Sequence, residues 1–202
     1  MGNVFVISAP SGVGKSTLIR LLLESVPRLR FAVSHTTRER RRGEKDGQDY
    51  FFVTRPRFEK MAASGRFVEW AGIHGNLYGT SRRLLNQARR GGWDVILNID
   101  VQGQKQVGKQ FPDAIKIFIL PPSFRELKKR LQNRGTDSKR EMEVRLGKAA
   151  KELARWKEYD YLVFNEELHS AFEQLRAIVM AARARRARLS REAVKILKTF
   201  GG

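Results

Sequence analysis

Residues 9–17, Ala-Pro-Ser-Gly-Val-Gly-Lys-Ser-Thr, combine small side chains, hydroxyls and one cation in a spacing suited to holding phosphate. Gly12 and Gly14 let successive backbone N–H groups turn onto phosphate oxygens, with Ser11, Val13 and Thr17 completing the cradle. Lys15 can reach the β- and γ-phosphates of a nucleoside triphosphate, and the Ser16 hydroxyl can hold Mg²⁺. This is the Walker A spacing with one departure, Ala9 at the first glycine. Alanine serves there if its φ is negative, which the following Pro10 favours.

Other residues carry chemistry, but their types alone leave two readings. Arg38, Arg40, Arg41 and Arg42 form a cluster followed by Tyr50. Guanidinium forks and phenol hydroxyls suit phosphate oxygens, yet a solvated charge cluster looks the same. Glu69 and Tyr78 lie in stretches of strand character, where a carboxylate can simply face solvent and a tyrosine simply pack across strands. Arg130, Arg134 and Arg145 can neutralise a migrating phosphoryl group or pair with Glu126 and Glu141 at i±4. Asn165 follows an apolar run, where turn chemistry is ordinary. The chain has no cysteine, which excludes disulfides, thiolate zinc and cysteine nucleophiles, and its three histidines are scattered.

The elements that must position these residues follow from patterning. The apolar run 4–8 enters the phosphate loop, and a helical pattern leaves it. Residues 30–34 read as a second strand, and 49–53, 66–73 and 76–80 as short ones, with a small helix over 55–65. A helix over 81–92 closes at Gly91. Residues 94–100 and 115–122 are apolar enough for strands buried on both faces. Helical patterns cover 123–135, stopped by Gly135, and 138–157. A last strand spans 159–165, and the remainder is helical, with 182–192 read as a solvated basic face ending in disorder. Strand and helix alternate at both ends, which implies a parallel α/β sheet; residues 34–80 interrupt that rhythm.

Hydrophobic residues make up 41%, charged residues 30%, and the net charge is +19, a balance that suits polyanionic partners. No apolar run approaches the roughly 20 residues of a membrane span. Nothing resembles a signal peptide, so the expectation is a cytoplasmic protein with no membrane association. No nucleic-acid recognition motif is visible, and no specific nucleic acid is expected. Arg183, Arg185, Arg186 and Arg188 are left as a surface for non-specific polyanion binding. The oligomeric state stays open.

Several short patterns occur in order: Ser-x-Thr-Thr-Arg at 34–38, Arg-x-Gly-Glu at 41–44, Asp-Tyr-x-Phe at 49–52, Glu-x5-Gly-Asn-x-Tyr-Gly-Thr at 69–80, Ile-Asp-x-Gln-Gly at 99–103 and Arg-Leu-Gln-Asn-Arg-Gly at 130–135. From Val4 to about Leu175 this series resembles guanylate kinase. The resemblance implies an α/β P-loop three-layer fold: a central parallel sheet flanked by helices, an inserted mixed-strand nucleotide-binding region and a helical lid. One domain is expected over 1–202, with core segments 1–33, 81–124 and 156–202, a GMP-binding region at 34–80 and a lid at 125–155.

It also implies ATP-dependent phosphorylation of GMP and dGMP, with Mg²⁺. Arg38, Arg41, Tyr50 and Tyr78 would grip the GMP phosphate, while Ser34, Glu69, Thr80 and Asp100 would read guanine. Arg130, Arg134 and Arg145 would close over the phosphates, and Asn165 would meet the adenine. Lys15, Arg38, Arg130 and Arg145 would be the catalytic cations, with Mg²⁺ on Ser16 and, through water, Asp100. A second departure is Asn98, where the family usually carries aspartate; altered Mg²⁺ dependence is expected from it. The rivals are a different phosphorylated acceptor on the same scaffold and a non-catalytic interaction module. The purine-reading set argues against the first, and the retained Lys15, Ser16 and arginines against the second.

Overall fold

β1 (Val4–Ser8) turns Phe5 and Ile7 to one side and Val4 and Val6 to the other, and the two pairs enter different hydrophobic cores. A strand buried on both faces must be covered on both, which produces three layers. The structure is a computed structural model and describes residues 1–73, 75–132 and 139–200. β1 pairs in parallel with β7 (Asp94–Asn98) and β8 (Ile115–Leu120). β2 (Leu29–Phe31) and β9 (Tyr161–Phe164) are the edges of this parallel sheet, whose order is β2-β7-β1-β8-β9. α1 (Lys15–Ser25), α5 (Phe124–Gln132), α6 (Lys139–Leu153) and α7 (Leu168–Arg183) cover one face through Leu18, Leu127, Ala149 and Leu175. α3 (Arg82–Arg90) and α4 (Val101–Gln110) cover the other through Leu85 and Val107.

A second sheet holds the interrupting segment. β3 (His35–Thr36), β4 (Phe51–Phe52), β5 (Phe67–Ile73) and β6 (Asn76–Ser81) run in the order β4-β3-β6-β5, with β3 and β4 parallel and the other pairs antiparallel. α2 (Arg55–Ala63) backs it by stacking Phe58 on Phe67, centroids 4.6 Å apart. α8 (Arg186–Leu197) follows α7, and a 3-10 turn at Lys198–Phe200 follows it. No described helix is long and apolar enough to cross a membrane.

Four expectations need correction. The strand expected over 30–34 ends early, in β2 at Phe31, and β3 begins only at His35, because the chain leaves one sheet for the other between them; Ala32 N–H still donates to Ile96 at 2.9 Å. The strand over 49–53 shrinks to β4. α4 had no helical pattern to announce it, since two glycines dilute its apolar stripe; it forms because Asp100 caps it, accepting from the N–H groups of Gln102 and Gly103 at 3.0 and 2.9 Å. The basic stretch 182–192 is not simply solvated: Arg183 and Arg188 both bind Asp94, which is 1% exposed. Gly135, expected to stop α5, lies outside the described residues.

Candidate active site

The phosphate loop leaves β1 and delivers Lys15 as the first residue of α1. Gly12 and Gly14 sit at φ of 91° and 97°, left-handed values that a side chain would strain, whereas Ala9 has no positive φ. The loop is clamped from outside. The Asn165 amide donates to the Val13 carbonyl at 2.6 Å, and the Arg130 guanidinium donates to the Asn165 carbonyl at 3.2 Å. A Cβ on Gly14 would fall 2.6 Å from the Asn165 amide nitrogen, so the packing leaves no room for one. Arg130 also pairs with Glu126 at 3.0 Å, so the i,i+4 pairing and the reach to the loop coexist. Asn165 thus supports the loop, its buried side-chain amide donating to Val13.

A cleft of about 360 Å³ opens over the loop, lined also by Ile73, Asp100, Arg145, Lys148 and Glu152. Burial pushes the Lys15 ammonium down to about 8, against the pull of Glu152 and Asp100 and with the push of Lys148. The Glu152 carboxyl is raised, chiefly by burial, and further by Asp100.

On the acceptor side Arg38 donates to Glu44 at 2.6 Å, while the other Glu44 oxygen accepts from the Arg41 N–H at 2.9 Å. The Arg38 guanidinium lies 5.5 Å from the Tyr50 ring centre, and Tyr50 meets Tyr78 edge-on at 5.9 Å. Arg38, Tyr50 and Tyr78 therefore form one group. The Arg41 side chain is exposed nearby. Ser34 joins β2 to β3, and its carbonyl accepts from Phe51 N–H at 2.9 Å.

Glu69 is 5% exposed and accepts from the Thr80 hydroxyl at 2.6 Å. Burial pushes its carboxyl up to about 7; the Thr80 bond opposes this and Asp100 adds to it. Gly103, in the first turn of α4, lies so close that a Cβ there would be 2.8 Å from a Glu69 oxygen. Asp100 exerts its charge on both Lys15 and Glu69, so the two half-sites meet at that residue. Arg134 lies outside the described residues, as does His74.

The guanylate kinase family model matches residues 1–182. The chain is 47% identical over 195 residues to the guanylate kinase of Syntrophotalea carbinolica, covering 96% of this chain and 93% of that one. It is 48% identical over 181 residues to the guanylate kinase of Dechloromonas aromatica, covering 90% of each. The crystal structure of guanylate kinase from Anaplasma phagocytophilum superposes with a TM-score of 0.78 at 33% identity, covering 96% of this chain and 94% of that one.

The chain belongs to the guanylate kinase family.

Sequence reasoning passed over four residues of this guanylate kinase site. Glu44 anchors Arg38 and was visible in the Arg-x-Gly-Glu pattern, where only the arginine received a role. Gly103 was likewise in a quoted pattern, and its reason is the carboxylate it must admit. Lys148 and Glu152, paired at 3.6 Å, carry no local signal; an i,i+4 pair on a helix is ordinary until the fold lays it beside a phosphate loop.

Proposed function

We propose that this chain transfers the γ-phosphoryl group of ATP to the phosphate of GMP or dGMP, giving ADP and the corresponding diphosphate. The observation that carries the reading is Asp100, which lines the cleft with the lysine of a phosphate loop and whose charge also acts on a buried carboxylate suited to guanine. An acceptor phosphate oxygen attacks the γ-phosphorus in line, and the bond to the β–γ bridging oxygen breaks; no covalent enzyme intermediate is required.

The chain's own groups position the reactants and neutralise charge. Loop N–H groups and Lys15 hold the donor phosphates. Arg38, Tyr50 and Tyr78, with Arg41, hold the acceptor phosphate. Ionised Glu69 accepts from the N1–H and N2–H donors of guanine, while adenine offers N1 as a bare acceptor. A pocket of this kind rejects the wrong base by about 10⁴-fold, because buried polar groups lose their partners. Arg130, Arg134 and Arg145 would balance charge on the migrating group. Closure of 34–80 and 125–155 over the sheet would exclude water.

Mg²⁺ fits a site of this composition. Among the described residues there is no cluster of three or more His, Cys, Asp or Glu able to cage a metal. Mg²⁺ needs none, since it binds through one or two protein oxygens plus substrate phosphates. The Ser16 hydroxyl would provide one and Asp100 would act through water, and the ion would screen the phosphate charge.

The test is an acceptor panel of GMP, dGMP, AMP and ribose phosphate with ATP and Mg²⁺, followed by ADP release. Rapid turnover confined to the guanine nucleotides is expected. Equal turnover of AMP would discard the role given to Glu69, and no turnover with any acceptor would discard the reaction.

A further inference from the structure

A cavity of about 1050 Å³ opens behind the small sheet, between α2 and α3 and outside both half-sites. Arg57, Lys60, Arg66, Arg82, Arg83 and Arg90 line it, and no carboxylate does. Among the described residues none of the six has an ion pair, although their neighbours Arg55 and Arg89 do. Arg82 is held by the Gly65 and Phe67 carbonyls, each at 3.1 Å. Arg82 and Arg83 also stand in the first turn of α3, where the helix dipole is positive and no acidic side chain offsets it. Cations gathered in this way repel one another and the dipole, so the arrangement costs stability until an anion joins it.

The cavity shares strand segments with the acceptor pocket. Neighbouring residues divide between them: Ser34, Tyr50 and Thr80 belong to the pocket, whereas His35, Phe51 and Ser81 line the cavity. His35 and Phe51 stack at 4.8 Å on its wall. Anything bound there presses on the backbone that holds the acceptor residues.

We propose that this cavity is a second anion site for a small multiply phosphorylated ligand, a triphosphate or longer, whose binding alters the affinity of the acceptor pocket on the opposite face of the sheet. The charge sets the class: a monophosphate would leave most of the cations uncompensated, while a triphosphate carries about four negative charges at neutral pH. The concavity favours a compact ligand, since the cations converge on one volume of small-molecule size.

The binding test is calorimetry of inorganic tripolyphosphate with ADP and GMP saturating the active site. One tripolyphosphate per chain is expected, weakened at least tenfold in the Arg57→Gln/Arg83→Gln variant. An Arg191→Gln/Lys195→Gln variant, which removes equal charge from α8, should bind as the native protein does. CTP run alongside distinguishes the sources: tighter binding than tripolyphosphate assigns the His35–Phe51 wall to a base, and equal binding assigns the phosphate chain alone. In kinetics at saturating ATP, tripolyphosphate should shift the KM for GMP at least twofold in the native protein and not in Arg57→Gln/Arg83→Gln.

No binding, or equal loss in both charge variants, overturns the site, as does a single-stranded oligonucleotide that binds more tightly and fails with the same residues. An unmoved KM overturns the coupling. The calorimetry stands whether or not GMP is the acceptor.

Discussion

The phosphate loop hangs between a five-stranded parallel sheet and a helix, whereas the acceptor pocket rests on a four-stranded sheet with strands as short as two residues. The loop takes its shape from backbone: two left-handed glycines, a helix start and a clamp on a carbonyl. The pocket takes its shape from side chains: Arg38 on Glu44, Thr80 on Glu69, and tyrosines edge to edge. A site fixed by backbone tolerates loss of a neighbour and fails when the group meeting the ligand is removed. A site fixed by side chains changes its selectivity with each link broken. Substitutions on the two sides should therefore fail in different ways.

The largest effect belongs to the loop. Lys15→Ala should lower turnover by at least 10³-fold, because the transferring phosphate loses its fixed cation in a partly dry site. The melting temperature should stay within a few degrees, since the loop geometry does not depend on this side chain. Retention of more than a few per cent of activity would dissolve the contrast at its strongest point.

Glu69→Gln should leave turnover of bound GMP less affected but reduce the preference for GMP over AMP by about 10²-fold or more. Its pH behaviour is more telling. With the free carboxyl near 7, kcat/KM for GMP should rise through pH 7 as Glu69 ionises, and AMP should compete best below it, where the protonated acid can donate to adenine N1. The second ionisation of GMP's own phosphate lies near 6, so the Glu69→Gln profile is the reference, and the inflection near 7 should vanish from it. The loop bends the other way: kcat/KM for ATP should fall above pH 8 as Lys15 loses its proton.

Stability carries the opposite sign for Glu69: it falls over the pH range in which activity rises. A carboxyl raised from 4.5 to about 7 by folding binds its proton more tightly in the native state, so stability declines as pH rises from 4.5 to 7. The total is about 3 kcal/mol, and Glu69→Gln should be correspondingly more stable at pH 8. A flat stability profile in the native protein would remove burial as the cause.

This contrast also governs what could be read in the sequence. The phosphate loop lies in nine consecutive residues, 9–17, and its chemistry is local. The buried strands 94–98 and 115–120 were equally legible, because burial on both faces leaves a continuous apolar run. The pocket draws on residues from Ser34 to Asp100, and composition could not tell Glu69 from a surface carboxylate until β6 brought Thr80 to it. Only the family resemblance placed those residues together. α4 escaped notice because its two glycines dilute the apolar stripe; its cap, Asp100, is local, whereas the service of Gly103 to Glu69 is a tertiary fact.

Asn165→Ala tests the backbone half more gently. It deletes the donor to the Val13 carbonyl, leaving that carbonyl underused beside Gly14. The KM for ATP should rise about tenfold, the cost of one lost hydrogen bond in a buried setting, while the KM for GMP stays unchanged. A rise in both would mean that the loop and the pocket are mechanically one unit.

The smallest kinetic effect should come from Asp94→Asn, which disturbs neither half. Asp94 opens β7 and accepts from the Asn3 N–H at 2.6 Å, Arg183 at 2.7 Å and Arg188 at 3.1 Å. It thereby ties the N-terminal strand to α7 and to α8, the helix beyond the family match. Asparagine keeps an oxygen for Asn3 but turns an NH₂ toward one arginine, donor against donor. Breaking a fully buried pair costs about 3–5 kcal/mol. Here the arginine side chains are 22% and 25% exposed and can rehydrate, so a loss nearer 1–2 kcal/mol is expected. Thermal unfolding should shift down by a few degrees, and hydrogen exchange should quicken in α8 more than in α3. Both KM values should hold, because neither half-site borrows its shape from this corner; a change in either one would show that the parallel sheet transmits strain along its strands, from the start of β7 to the loop.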